Sequence, residues 1–348
     1  MYYPQIDFIK ALAIISVIFL HTFGYGAVPE IAILTIFQAV PIFFILMGIT
    51  TVISFEGQTF PKISDFYTRD YFMKKIYRII APFFIIYCID IAYVAYSRNF
   101  SPEWLHYPWL TLIGVLPSGG LGNYFVSILI QFILIAPLMY YLYKKNPSIT
   151  LTGFFCIGLL FEVLAPLLPI YSLYGNCILR YIFAIGLGFF IADEFINNQY
   201  ISIRKGNNRY LLLFVPLSIV YLQFFGGIQF PLFRPEWASQ NVLSFFYSLV
   251  LVIVLIDLLF YLKPSGNVYD SFNTIGKASY HIFLVQMLYF VTGFPLHVDF
   301  TVIAPILSPI LLILFNLAIT ISLGLFFYYT DIRFISPYLK KKNPWRSN

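Results

Sequence analysis

The sequence predicts an all-α, polytopic membrane protein with about ten transmembrane helices and both termini in the cytoplasm. Three observations carry that expectation. First, the 348 residues are 60% hydrophobic and 20% aromatic but only 10% charged, with a mean hydropathy of +0.83. A soluble domain carries about 25% charged residues, so a soluble enzyme, a disordered chain and a secreted disulfide scaffold are all excluded. Second, the apolar runs are continuous and about 20 residues long, the length of a helix crossing the hydrocarbon core, rather than alternating as in a β-barrel. Third, the basic residues fall on alternate connections. All 21 lysines and arginines except Arg98, Arg180 and Arg234 then lie on one side, which the positive-inside rule makes cytoplasmic. The net charge of +6 therefore reports topology, and no nucleic-acid partner is expected.

The predicted spans run Phe8 to Gly26, Ile31 to Ser54, Ile76 to Tyr96, Tyr124 to Tyr143 and Ile149 to Pro169. They continue with Cys177 to Glu194, Tyr210 to Gly226, Val242 to Leu262, Ala278 to Phe294 and Val302 to Thr330. Pro305 and Pro309 are positioned to displace the start of the last span. The first run is read as a retained helix, not a cleaved signal peptide. Residues 1–348 form one integral-membrane domain in this reading. The longest outer connection, Ser97 to Asn123, holds Trp104, Tyr107 and Trp109 and then Ser118-Gly119-Gly120-Leu121-Gly122. It suits either an interfacial aromatic belt with a glycine turn or an outward-facing lid. Cys88, Cys156 and Cys177 show neither a CxxC pair nor metal spacing with histidine, so they read as buried apolar side chains and no metal is expected.

Ionisable and amide groups inside spans are costly, which makes them functional candidates. They are His21, Asp90, Glu162, Arg180, Asp257, Gln38, Gln131, Gln286 and Asn316. Lys10 and His21 stand 11 residues apart, within about 20° of three full helical turns, so they share one face about 16.5 Å apart along the axis. A cation at the inner mouth and an imidazole deeper in suit a donor with an anionic head and a long neutral arm, a shape that coenzyme A has. A snorkelling lysine and a structurally bonded histidine would give the same spacing. Lys74, Lys75 and Arg78 cluster on one face at the entry of the third span, where they either hold phosphates or mark topology. Asn123, Ser127 and Gln131 recur at every fourth position, a polar stripe that faces a cavity or bonds neighbouring helices. Glu162 and Arg180 lie at similar depth in the outer half and read as an ion pair, lining an acceptor side or locking two helices. Asp90, also in the outer half, is a candidate to orient His21.

Four segments in order resemble the acyltransferase-3 family of bacterial membrane proteins, over nearly the whole chain. Ile6-Asp7-Phe8-Ile9-Lys10 through His21-Thr22 looks like its opening motif, a basic residue and a histidine separated by ten residues. Lys75-Ile76-Tyr77-Arg78 before Pro82 looks like its basic pair. Asn123 to Pro137 is similar to its fourth-span block. Ile275-Gly276-Lys277-Ala278-Ser279-Tyr280-His281-Ile282-Phe283-Leu284-Val285-Gln286 is similar to its late block. The resemblance implies acyl transfer, often of acetyl, from a cytoplasmic acyl-CoA to a hydroxyl of a surface or lipid-linked glycan, in the bacterial inner membrane. It implies His21 as the base and Lys10, Lys75 and Arg78 at the donor, where the clustering adds Lys74. It implies acyl-CoA as co-substrate and no bound cofactor. Two departures stand out: Lys10 replaces a frequent arginine, and Gln286 replaces a frequent histidine, which points to an exopolysaccharide-type subgroup. The rival class is a transporter or flippase for glycans or lipid-linked sugars. It would not need the Lys10/His21 spacing, and the interrupted, duplicated halves common in transporters are not evident.

Overall fold

The computed structural model describes residues 2–23, 34–56, 62–97, 114–165, 171–201, 214–215, 217–218, 240–292 and 307–341, and all regular structure among them is helical. The helices are α1 (Pro4–Phe23), α2 (Ala39–Phe55), α3 (Arg69–Lys75), α4 (Ala81–Ser97), α5 (Phe125–Lys145), α6 (Pro147–Leu164) and α7 (Tyr171–Asn176). They continue with α8 (Ile182–Asn198), α9 (Ser244–Leu262), α10 (Asn267–Lys277), α11 (Ser279–Val291), α12 (Ser308–Thr330) and α13 (Ser336–Lys341). Local chemistry sets their starts. Thr68 caps α3 by accepting from the Tyr71 amide at 3.1 Å, and Asn146 caps α6 by accepting from Ile149 at 3.1 Å, with Pro147 in the first turn. Pro309 occupies the first turn of α12, so this helix begins at Ser308 rather than at the predicted Val302.

Among the described residues, seven segments are long and apolar enough to cross a membrane: Pro4–Phe23, Ile36–Phe55, Ile63–Ser97, Phe125–Lys145, Pro147–Leu164, Ser244–Leu262 and Ser308–Tyr338. Ser279–Val291, inside the predicted ninth span, is a shorter apolar helix, and the predicted sixth span overlaps the 17-residue α8, which runs on to Asn198. The predicted seventh span, Tyr210 to Gly226, lies almost wholly outside the described residues, as do Trp104, Tyr107 and Trp109 of the outer connection. The third and last spanning segments, 35 and 31 residues, exceed the ~20 needed to cross. Each contains one turn of π-helix, Ile76–Ile80 between α3 and α4 and Asp331–Ile335 between α12 and α13.

The proline after each turn supplies a cause. Pro82 and Pro337 have no amide hydrogen, and their rings collide with the carbonyl four residues back, so the helix widens there by one residue.

The chain divides into two compact units. The first comprises residues 1–17, 29–66 and 134–276. Its core is α8, packed against α2, α6 and α9. Gly48 of α2 and Gly188 of α8 meet backbone to backbone, so that a Cβ on either would run into the other helix. Small residues permit this approach where no hydrophobic force separates helix contact from lipid contact. Ser248 donates to Gln38 Oε1 at 2.7 Å and ties α9 to the turn ahead of α2. Asp257 Oδ1 accepts from the Ile201 amide at 2.7 Å.

The second unit comprises residues 18–28, 67–133 and 277–348, and its central element is α11, packed on α12 and α4. Gly324 of α12 lies directly on Ile282 of α11, and Tyr71 donates to the Ile133 carbonyl at 2.9 Å.

Candidate active site

The second unit gathers several of the predicted polar residues around the end of α1. His21 Nδ1 stands 2.6 Å from Gln286 Oε1 of α11, and Gln286 is fully buried. A carbonyl oxygen only accepts, so this bond places a proton on Nδ1, and in the neutral ring the acceptor nitrogen is then Nε2. Phe290, one turn after Gln286, meets the imidazole edge-on at 5.7 Å. Beneath the ring lies Gly122, at φ +80°, where a Cβ would stand 3.2 Å from His21 Cε1 and 3.3 Å from the Phe283 ring. Glycine suits this position twice over, for its backbone conformation and for the absence of a side chain.

The adjacent residue Thr22 accepts at 3.2 Å from Asn316 Nδ2 of α12, and Asn316 Oδ1 accepts from Tyr289 at 2.8 Å. Helix α11 therefore holds two successive residues of α1, His21 directly through Gln286 and Thr22 through Tyr289 and Asn316.

Asp90, a candidate to orient His21, is engaged with a loop amide. It is fully buried on α4, and its Oδ2 accepts from the Ser118 amide at 3.0 Å, anchoring the glycine-rich loop. Asn123 closes the same loop, accepting from Leu116 N at 2.7 Å and donating to Leu116 O at 3.0 Å. Gln131 donates to both the carbonyl and the hydroxyl of Ser127 at 3.3 Å. The predicted stripe thus spends much of its polarity on its own segment, and the loop it fixes presents Gly122 to His21.

The predicted donor residues divide. Lys75 is half-buried with Nζ 5.5 Å from the Tyr71 ring, whereas Lys74 and Arg78 are exposed. Arg78 sits inside the first π-turn, and Tyr280 of α11 donates to the neighbouring Ile79 carbonyl at 2.9 Å. Lys10 belongs to the first unit and donates to Asp7 at 3.2 Å. Helix α1 runs unbroken from Pro4 to Phe23, so Lys10 and His21 do stand on one helix about three turns apart.

Glu162 and Arg180, read from the sequence as a pair, both converge on Tyr174 in the first unit. The Tyr174 hydroxyl donates to Glu162 Oε2, and its ring lies 4.6 Å beneath the Arg180 guanidinium. Burial pushes the Tyr174 phenol well above its ordinary value, with Arg180 opposing and Glu162 adding to the shift, so it remains a proton donor. Arg180 Nε also donates to the Gln240 carbonyl at 3.1 Å, and Tyr181 to Gln240 Oε1 at 2.6 Å. Sequence reading missed Tyr174, Gln240 and Gly122. Of these only Gly122 carried a signal, as part of a glycine run beside a candidate helix.

No curated protein and no solved structure matches the chain. The family profile described as an acyltransferase domain, however, matches residues 3–329, from the start of α1 almost to the end of α12, and includes His21, Arg78, Asn123 and Gln286. The chain belongs to the acyltransferase-3 family of membrane acyltransferases.

Proposed function

We propose that this protein transfers an acyl group, acetyl in the simplest case, from a cytoplasmic acyl-CoA to a hydroxyl of a surface or lipid-linked glycan in the bacterial inner membrane, with His21 as general base. The observation that carries this reading is the 2.6 Å bond from His21 Nδ1 to Gln286, which leaves Nε2 able to accept a proton. A thioester is already activated. What it needs from the protein is alignment, a base and stabilisation of the tetrahedral oxyanion.

In the proposed cycle the acceptor hydroxyl gives its proton to Nε2 as its oxygen bonds the thioester carbonyl carbon. The tetrahedral intermediate collapses with cleavage of the C–S bond. The coenzyme A thiolate then takes the proton from the imidazolium, so the products are an ester and free coenzyme A. Gln286 Oε1 faces the Nδ1 proton throughout and supports the cation while it exists. Lys10, Lys74, Lys75 and Arg78 are assigned to the anionic end of the donor, and the Glu162–Tyr174–Arg180 group to the acceptor side.

The test is acetyl transfer by purified protein with His21→Ala and His21→Gln. A general base contributes about 10²–10⁴-fold, and both variants should lose most of that while keeping coenzyme A binding. Glutamine can keep a hydrogen bond but cannot act as a base near neutral pH. Near-normal turnover in His21→Gln would therefore return His21 to a structural role.

A further inference from the structure

The two π-turns of the second unit are copies of one device. Arg78-Ile79-Ile80-Ala81-Pro82 and Arg333-Phe334-Ile335-Ser336-Pro337 share the pattern arginine, apolar, isoleucine, small residue, proline. Their registers coincide. Each turn begins two residues before its arginine and is closed by an amide-to-carbonyl bond spanning five residues, Ala81 to Ile76 and Ser336 to Asp331. Each arginine stands four residues before the proline, the position whose carbonyl the proline displaces. Both arginines are exposed, Arg333 lying 5.6 Å from the exposed Phe334 ring.

The turns are also neighbours. Helix α13, which continues the second turn, packs against the first. Two consecutive residues of α11 hold them: Tyr280 donates to Ile79 O of the first at 2.9 Å, and His281 Nε2 donates to Asp331 Oδ2 of the second at 3.0 Å. Ser336 fixes the other Asp331 oxygen at 3.1 Å. His281 and Asp331 are both buried, so this is an internal clamp and not a surface contact. Helix α11 is the same helix that presents Gln286 to His21.

We propose that Arg333 is a second arm of the donor site, and that Arg78 and Arg333 together grip the phosphate groups of the acyl-CoA. The inference rests on the acyl-CoA reading given above and assigns to it a residue outside the basic pair. Guanidinium groups on two rigid, adjacent turns suit a ligand that carries its negative charge in more than one phosphate. A π-turn is a costly departure from the α-helix, and such turns concentrate at functional sites. The prolines account for the turns themselves; the arginine standing in the same place in both fits one shared ligand.

The experiment is calorimetric titration of coenzyme A into the full-length protein in phosphatidylcholine nanodiscs, repeated with phosphatidylglycerol added. The variants are Arg78→Ala, Arg333→Ala and Arg333→Glu. Each alanine variant should weaken binding by about 10- to 100-fold, the scale of a lost charge-assisted hydrogen bond, and Arg333→Glu by more. Wild-type affinity in both Arg333 variants, with Arg78→Ala weakened, overturns the second arm and leaves the donor reading standing. No coenzyme A binding by the wild-type protein overturns both. An Arg333 effect that appears only when phosphatidylglycerol is present assigns the arginine to lipid headgroups and overturns its role at the donor.

Discussion

At the scale of the residue, the candidate chemistry rests on which imidazole nitrogen of His21 carries the proton. Gln286 decides this by presenting a carbonyl to Nδ1 from a fully buried position. The glutamine amide meets Nδ1 with its carbonyl oxygen, an acceptor, so the proton of this bond belongs to Nδ1. Gln286 is therefore a positioning residue in the proposed mechanism. Gln286→Leu should lower kcat about tenfold, a part of the general-base contribution, while the KM for acyl-CoA stays near that of the wild type. Gln286→Glu keeps an acceptor and should retain more activity than the leucine variant. Steady-state kinetics on the three proteins checks this, and a KM rise without a kcat change would place Gln286 in donor binding instead.

At the scale of the element, α11 organises the second unit. It is only 13 residues long, yet it engages the first π-turn through Tyr280, the second through His281, α1 through Gln286 and α12 through Tyr289. These contacts lie on one short helix, so the basic turns and the candidate base are tied by hydrogen bonds to a common element. In the first unit the equivalent organiser is α8, where Gly188 lets α2 approach at Gly48. Gly188→Val forces a side chain into the backbone of α2. It should destabilise the folded protein by about 1–3 kcal/mol, the usual range for overpacking. Thermal unfolding in detergent would show the loss. An unchanged midpoint would mean that the two helices can separate at no cost.

At the scale of the whole molecule, charge decides orientation. The basic residues of the two overlong segments, Arg69, Lys74, Lys75 and Arg78 on one and Arg333 on the other, belong to the side read as cytoplasmic. Reporter fusions at Asn348 and at Trp104 should then report opposite faces of the membrane. A cytoplasmic Trp104 would overturn the ten-span topology and the direction of transfer drawn from it.

The sequence by itself determined the fold class, because a chain with 10% charged residues and runs of about 20 apolar ones can satisfy its backbone in lipid only as helices. It also singled out His21, Arg78 and Gln286, since polar groups among apolar neighbours stand out in one dimension. It did not reveal their partners. His21 and Gln286 are 265 positions apart, and hydrogen bonds across such a separation follow from helix packing rather than from any local pattern. Asp90 and Asn123 were legible as buried polar groups, but their commitment to the Ser118 and Leu116 backbone depends on the path of the glycine loop. The π-turns were hidden for a related reason. Proline at 82 and 337 signals a disturbed helix, but the α11 side chains that hold each turn reach it only in the folded molecule.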